Sequence, residues 1–329
     1  MSKFSIILPV RNGGIYVKEC VASILSQTMQ DFNLLVLDND SNDGTLEWIN
    51  SLDDKRIMLY PEKHPLGIEA NWGRIKGISK NEFITLIGHD DILHPHYLDE
   101  MDRLIGKHPN ASLYQTHYSF INEKGKHTRY CMPMDEVQYG HEFLACQLAR
   151  TMDSMGTGYM MRSRDYDELG GIPTDYPNLI FADYQLWVQL SLKSYKATSD
   201  RLCFSYREHD SVSKLTNGEK YQLAFEKYVY FMAALAKENE QVKQVIEKYG
   251  HDMLMYFCES LSHRLLKTAP ASRKIKVDEF INKCKTYAAI LIPGHEFEPM
   301  DKFRISIAGK LDSNLVGRSV FNIYKKLTK

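Results

Sequence analysis

The run FITLIGHDDILHPHY, residues 83 to 97, changes character within a single step, from almost unbroken apolar sequence to His89, Asp90 and Asp91. A run of that kind fits a strand buried on both faces of a sheet. Its polar end then lies at the sheet's rim, where one imidazole and two carboxylates are delivered together, and Pro95 suits the first turn of a new helix. Carboxylates at a strand's carboxyl end can serve a divalent cation beside a phosphate-bearing ligand. They can equally cap the following helix, and this stretch by itself leaves both readings open.

The same unit occurs upstream. Lys3 to Val10 is a short apolar, β-branched run broken by Arg11, Asn12, Gly13 and Gly14, after which Val17, Cys20, Val21, Ile24 and Leu25 follow helical spacing. Phe32 to Leu37 reads as a second buried strand ending in LDNDSNDGT; Asp38 and Asp40 stand at its end, and Ser41 to Thr45 supplies turn and capping chemistry for a helix near Leu46. Ile57 to Tyr60 predicts a third strand, and Gly67 to Ser79 a further helix. Strands alternating with helices predict an α/β fold with a Rossmann-like, mostly parallel sheet flanked by helices, whose ligand lies beyond the carboxyl ends of the strands. Pro9 to Asn12, Asp38 to Asp40 and His89 to Asp91 then converge on one crevice. No GxGxxG follows the first strand, which disfavours a dinucleotide site.

With 329 residues, 43% of them hydrophobic and 25% charged, the chain is long enough for one large α/β domain and a smaller appendage. Lys and Arg total 41 against 42 Asp and Glu, so no global charge argues for nucleic acid as a partner. The six cysteines are widely separated and form no CxxC, which argues against a zinc site and fits a reducing compartment. MSKFSIILPV runs straight into a strand pattern, and no apolar stretch approaches membrane-span length. The expectation is a cytoplasmic protein, with peripheral contact at the inner face of the cell membrane left open.

ILPVRN, LDNDSNDGT, GIEANWGRIKGIS and ITLIGHDDILHP follow one another in the first hundred residues, and ELGGIP (168–173), FADYQLWVQLS (181–191) and YREHDSVS (206–213) extend the series. In this order the chain resembles the family 2 glycosyltransferases of the GT-A fold over roughly its first two thirds. The resemblance implies an inverting, metal-dependent transferase that moves a sugar from a UDP-sugar donor to a saccharide or lipid-linked saccharide acceptor, in cell-surface polysaccharide or lipo-oligosaccharide synthesis. Asp38 would accept the imide N–H of uracil, chemistry well suited to an ionised carboxylate, and thymine offers the same donor. Pro9, Val10 and Asn12 would line the base and ribose pocket. Asn71 and Arg74 would face the donor, Arg74 either on phosphate or as a solvent-facing helix residue.

The family's Asp-Xaa-Asp motif falls on Gly88, His89 and Asp90, so its first carboxylate is missing. Asp90 is then the expected ligand of Mn2+ or Mg2+, with Asp91 behind it or at the donor sugar, and His89 on a ribose or phosphate oxygen or simply at the surface. Arg207 and His209 would meet the leaving diphosphate, His209 also touching the metal, and Ser213 would belong to a loop over the nucleotide together with Ser211 and Lys214. Asp183 would be the general base that takes the acceptor's hydroxyl proton. Ala182 replaces the glutamate that usually precedes it, and capping of a Tyr184 to Leu192 helix is the plainer reading of Asp183. Met155 to Met161 would lie on the acceptor side. His94, His96 and His108 lack a ligand pattern, and Trp187 has the spacing of a core residue.

The catalytic domain is thus expected over residues 1–216 and a helical region over 217–329. Two or three helices fit Lys220 to Lys267, and another fits Val277 to Ile290. The segment from Lys302 to Lys329 mixes Phe303, Ile305, Ile307, Leu311, Leu315, Val320, Phe321 and Ile323 with Lys325, Lys326 and Lys329. It has two available fates: packing on this domain or on a second copy in a homo-oligomer, or lying as a basic helix on an anionic bilayer. Two rival readings accompany the transferase: a nucleotidyltransferase on a similar scaffold, and a non-catalytic nucleotide-sugar-binding module in which Gly88 and Ala182 mark lost chemistry.

Overall fold

Every residue of the first strand, β1 (Phe4–Val10), is buried, as its near-continuous apolar sequence requires. The structure is a computed structural model that describes residues 2–209, 216–314, 317–319, 321 and 323. β1 pairs in parallel with β2 (Phe32–Asp38) and with β4 (Phe83–Leu86), and β2 in turn pairs in parallel with β3 (Ile57–Leu59). The intervening chain forms α1 (Gly14–Leu25), α2 (Thr45–Ser51) and α3 (Ile68–Gly73). α1 buries Val17, Cys20, Val21 and Ile24, one stripe at helical spacing. Its entry is tight: a Cβ added to Gly13 would stand 2.5 Å from Val17 Cβ and 3.0 Å from Val10 Cγ2, so only glycine lets the helix start this close to β1.

Downstream come β5 (Ile92–Leu93), α4 (Tyr97–Lys107), β6 (Leu113–Ile121), β7 (His127–Tyr130), β8 (Val137–Tyr139), α5 (Gly140–Ala149), β9 (Met160–Arg162), α6 (Ser163–Glu168), α7 (Ala182–Lys193) and β10 (Tyr195–Arg207). The sheet order is β3-β2-β1-β4-β9-β6-β10-β5, with β7 on β6 and β8 on β10. β9 lies antiparallel between β4 and β6, so β1 to β4, β6 and β10 all run one way and deliver their carboxyl ends to one edge. The helix expected over 67–79 is α3 followed by a 3-10 turn, Arg74–Gly77; Gly73 and Gly77 weaken α-helical continuation there. Pro95 stands ahead of α4 rather than within its first turn, with His96 at the N-cap.

The chain divides into two compact units. One holds the sheet and comprises Met1–Phe143, Thr151–Asp175 and Ala182–Ser211; the other comprises Leu144–Arg150, Tyr176–Phe181 and Val212–Lys329. The second unit is helical: α8 (Gly218–Glu238), α9 (Glu240–Lys267), α10 (Val277–Leu291) and α11 (Phe303–Asp312). Asn217 and Asn239 cap α8 and α9, their side chains accepting from the backbone N–H of Lys220 and Val242. Phe225, Tyr228, Phe280 and Tyr287 lie in its core, and the Phe225 and Phe257 rings pack tilted at 4.7 Å. Among the described residues no helix is long and apolar enough to cross a membrane. Leu315, Val320, Lys325, Lys326 and Lys329, on which the basic-helix expectation rests, lie outside the described residues.

Candidate active site

The carboxyl ends of β1 and β2 are zipped to one another by short polar bonds. Asn12, in the left-handed region at φ 52°, donates its backbone N–H to Ser41 Oγ (2.9 Å) and receives the N–H of Asn42 on its side-chain oxygen (2.9 Å). The Gly14 N–H reaches Asp43 Oδ2 (2.9 Å), and the Gly13 N–H reaches Thr45 Oγ1 (3.2 Å). Pro9 and Val10 are buried beside this seam, and Asn12 is exposed.

Asp38 closes β2 fully buried. One carboxylate oxygen receives the Ser41 N–H at 3.2 Å; the other, Oδ1, is buried with no partner among the described residues. Leaving a buried acceptor unmatched costs about 1–3 kcal/mol, so an oxygen of this kind points to a ligand donor. The backbone around it is braced. Arg74 donates to the Asp38 carbonyl (3.1 Å), to Asn71 Oδ1 (2.9 Å) and to the Tyr60 carbonyl, and pairs with Glu62 (2.9 Å). Arg74 is therefore a strut under the Asp38 loop, with its guanidinium engaged inside the protein. Asn39 adds a second brace, exchanging bonds with the backbone of Leu66.

At the end of β4 the chain turns sharply, the Asp91 N–H closing on the Gly88 carbonyl at 3.2 Å. A Cβ on Gly88 would meet Asp90 Oδ1 at 2.6 Å and Asp91 Oδ2 at 3.1 Å, so the family's first aspartate has no room here while Asp90 keeps this position. The two remaining aspartates part ways. Asp90 is one-fifth exposed, and its Oδ2 meets His209 Nε2. Asp91 is buried, with Oδ2 taken by Thr157 Oγ1 (2.7 Å) and Oδ1 by the Arg207 N–H (3.0 Å). Burial and the neighbouring Asp90 charge push its carboxyl well above the usual range. Asp91 thus braces β10 and does not present its oxygens to a donor sugar.

Arg207, expected on the diphosphate, is likewise turned inward. Its guanidinium donates to the carbonyls of Asp90 (2.7 Å), Asn122 (3.3 Å) and Glu123 (3.2 Å), pairs with Glu19, and lies 4.7 Å over the Tyr16 ring. Tyr16 also packs on His209, ring centroids 5.4 Å apart. Tyr16 and Glu19, one turn apart on α1, are site residues that the sequence reading missed; their spacing on one helix face was the available signal. His89 is half-buried, and burial lowers its imidazole pKa; the charges it faces are Asp90, His209 and Asp43, which brings the loops after β2, β4 and β10 together. Ser213 lies outside the described residues.

Asp183 sits in the first turn of α7, half-buried. Burial pushes its carboxyl up to about 6, against the opposing pull of its own and Tyr184's backbone N–H groups. A Cβ on Gly156 would stand 3.4 Å from Asp183 Oδ2, so the 155–161 segment passes directly beside it. Trp187 holds that segment: its indole N–H donates to the Met155 carbonyl (2.9 Å), and its ring lies on Tyr159 at 4.6 Å, fully buried as its spacing predicted. Burial raises the Tyr206 phenol, and the charges of Asp91, Asp90 and Asp183 raise it further.

Asp90 and His209 are the residues that could hold a cation. Among the described residues no group of three His, Cys, Asp or Glu gathers for one. One carboxylate and one imidazole fit an ion that takes its remaining ligands from phosphate and water, as Mg2+ and Mn2+ do at such sites. The histidines His94, His96 and His108 have separate partners: Leu202 and Ser205, Thr28 and Asp99, and Glu136 respectively.

Comparison with known proteins agrees with this architecture. TarS of S. aureus (residues 1–349), in complex with UDP-GlcNAc, superposes with a TM-score of 0.68 at 15% identity over 98% of this chain and 92% of that one. A mannosyltransferase of Pyrobaculum calidifontis in complex with GDP-Man and Mn2+ gives 0.50 at 13% identity, over 98% and 88%. An uncharacterized glycosyltransferase of Rickettsia prowazekii is 30% identical over 186 residues, and one of Rickettsia typhi is 26% identical over 259. The first match spans 56% of this chain and 57% of the relative; the second spans 77% and 79%. The family model for glycosyl transferase family 2 matches residues 5–170, about half of the sequence. With the GT-A fold carried by the sheet unit, the chain belongs to glycosyl transferase family 2.

Proposed function

We propose that the protein is an inverting glycosyltransferase that moves a sugar from a UDP-sugar to a saccharide hydroxyl, with Asp183 as general base. The observation that carries this reading is Asp183 itself: a carboxylate bonded only to backbone N–H groups among the described residues, raised to about 6, with the backbone of Gly156 alongside. A base with a pKa close to working pH is ionised yet still a competent proton acceptor. The acceptor hydroxyl would give its proton to Asp183 as its oxygen attacks the anomeric carbon, and the bond to the nucleoside diphosphate breaks on the opposite face.

Asp38 Oδ1 would take the imide N–H of uracil, which satisfies the buried oxygen and disfavours cytosine, whose ring nitrogen is an acceptor. Pro9, Val10 and Asn12 would line the base and ribose, and His89 would face ribose or phosphate. Arg74 and Arg207 are engaged by protein acceptors, so charge on the leaving diphosphate would fall to His209 and to a cation at Asp90 and His209. When bound, that cation supplies positive charge at developing phosphate oxygens. Asn71 and Asp91 act through their neighbours, Asn71 on Arg74 and Asp91 on Thr157 and the Arg207 backbone.

The acceptor is proposed to be a free or lipid-linked saccharide of a cell-surface glycan, met at the inner face of the membrane. A panel of UDP-sugars tested for UDP release tests the donor class. Release from at least one UDP-sugar, abolished in Asp183→Asn while UDP still binds, is expected; wild-type turnover in that variant would overturn the assignment of the base.

A further inference from the structure

Residues 176–181, directly ahead of the base, belong to the helical unit, although Ala182 onward belongs to the sheet unit. Their backbone is unusual. Asn178 (φ 55°), Leu179 (φ 56°) and Phe181 (φ 66°) all occupy the left-handed region, and none is glycine. Each such residue costs on the order of 1–3 kcal/mol, and persists only where its surroundings over-determine it.

Those surroundings lie within the helical unit. The Phe181 ring stacks on Tyr228 (5.3 Å, 11°), meets Phe257 edge-on (5.3 Å, 73°) and touches Phe225 (5.8 Å). Asn178 is held at both ends of its amide: Nδ2 donates to Thr216 Oγ1 and Oδ1 receives Lys220 Nζ, each at 2.8 Å. Asn178, Thr216 and Lys220 all belong to the helical unit, so this anchor of the approach to Asp183 lies wholly within it.

Among the described residues the pull on the Asp183 carboxylate comes from its own and Tyr184's backbone N–H groups, both in the first turn of α7, so its direction depends on how the chain enters that helix. We propose that the helical unit works as a setting device for the base: Phe181 and Asn178 are positioning residues that impose the strained entry to α7 and thereby aim Asp183. This rests on the reading of Asp183 as base. It gives the helical third a task in the chemistry of the sheet unit, through the covalent chain and apart from any contact with the membrane or a second copy.

The test uses the full chain with two variants. Phe181→Leu keeps apolar bulk but removes the stacked ring, and Asn178→Gly keeps left-handed freedom but removes both side-chain bonds. Each is assayed for kcat, UDP affinity by calorimetry, the pH profile of kcat, and the melting midpoint. Misdirection by about 1 Å can cost on the order of a hundredfold in rate. The expected result is a kcat at least tenfold lower in both, with UDP affinity unchanged, the acid limb displaced, and Phe181→Tyr close to wild type. Wild-type kcat and pH profile in folded Phe181→Leu or Asn178→Gly would overturn the proposal. Should Phe181→Leu fail to melt cooperatively, Asn178→Gly decides, because it leaves the aromatic cluster intact. Asp183→Asn run in parallel separates the two claims: an active Asp183→Asn defeats the base assignment, whereas an inactive Asp183→Asn beside unaffected Phe181 and Asn178 variants defeats the positioning device alone.

Discussion

The two ends of the site are built on opposite plans. Around Asp38 nearly every polar group is matched, through the Asn12–Ser41–Asn42 seam, the Arg74 strut and the Asn39 brace, while one buried carboxylate oxygen has no partner among the described residues. Around Asp183 the only pull on the carboxylate among the described residues comes from backbone N–H groups, burial raises its pKa, and the chain reaches it through strained torsions. The first plan suits recognition, which gains from a fixed shape with little left to order on binding. The second suits proton transfer, in which a group must be poised between two states.

The largest expected effect breaks the catalytic end. Asp183→Asn keeps shape and removes the base, and general-base catalysis contributes about 10²–10⁴-fold; single-turnover assays should register a kcat loss in that range with UDP affinity intact. At the recognition end, Asp38→Asn removes a charged acceptor, whose hydrogen bond is worth about 1.5–3 kcal/mol. Calorimetry should find UDP binding weaker by roughly ten- to a hundredfold, with kcat at saturating donor changed far less.

The third prediction uses pH to tell the ends apart. Asp183 accepts a proton only when ionised, so with a pKa of about 6 kcat should fall as pH drops through about 6. An ordinary carboxylate would place that limb near 4, and in initial-rate data over pH 4.5–8 a flat profile would argue against Asp183. The smallest effect is expected at Glu19. Half-exposed and paired with buried Arg207, it should in Glu19→Gln weaken Mn2+-dependent UDP binding by only a few-fold, as partly exposed ion pairs contribute about 1 kcal/mol.

The alternation of buried runs and helical stripes made the first half of the sheet legible, because β1, β2 and β4 are buried on both faces and must read as continuous apolar sequence. It also put Asp38 and Asp90 beyond strand ends, whereas Asp183 and His209 are singled out by the family resemblance alone. What it could not convey was direction. Asp91 is expected at the donor sugar or behind Asp90, and Arg207 at the diphosphate, yet both face inward, because Thr157, Glu19, Asn122 and Glu123 come from distant parts of the chain to engage them. Gly88 read as a lost carboxylate, whereas in space its hydrogen makes room for Asp90. The helical unit's main run begins at 212, and no local pattern marked 144–150 and 176–181 as parts of that unit. Membership of a core is settled by long-range contacts, and Phe181 next to the FADYQLW helix has no local cue to its aromatic partners.

The most direct test of the account is a calorimetric titration of UDP and CDP into the wild-type protein, with and without Mn2+. The account predicts that UDP binds, that Mn2+ tightens it, and that CDP binds at least tenfold more weakly because its ring nitrogen offers Asp38 an acceptor in place of a donor. Equal binding of UDP and CDP, or no binding of either with Mn2+ present, would contradict it.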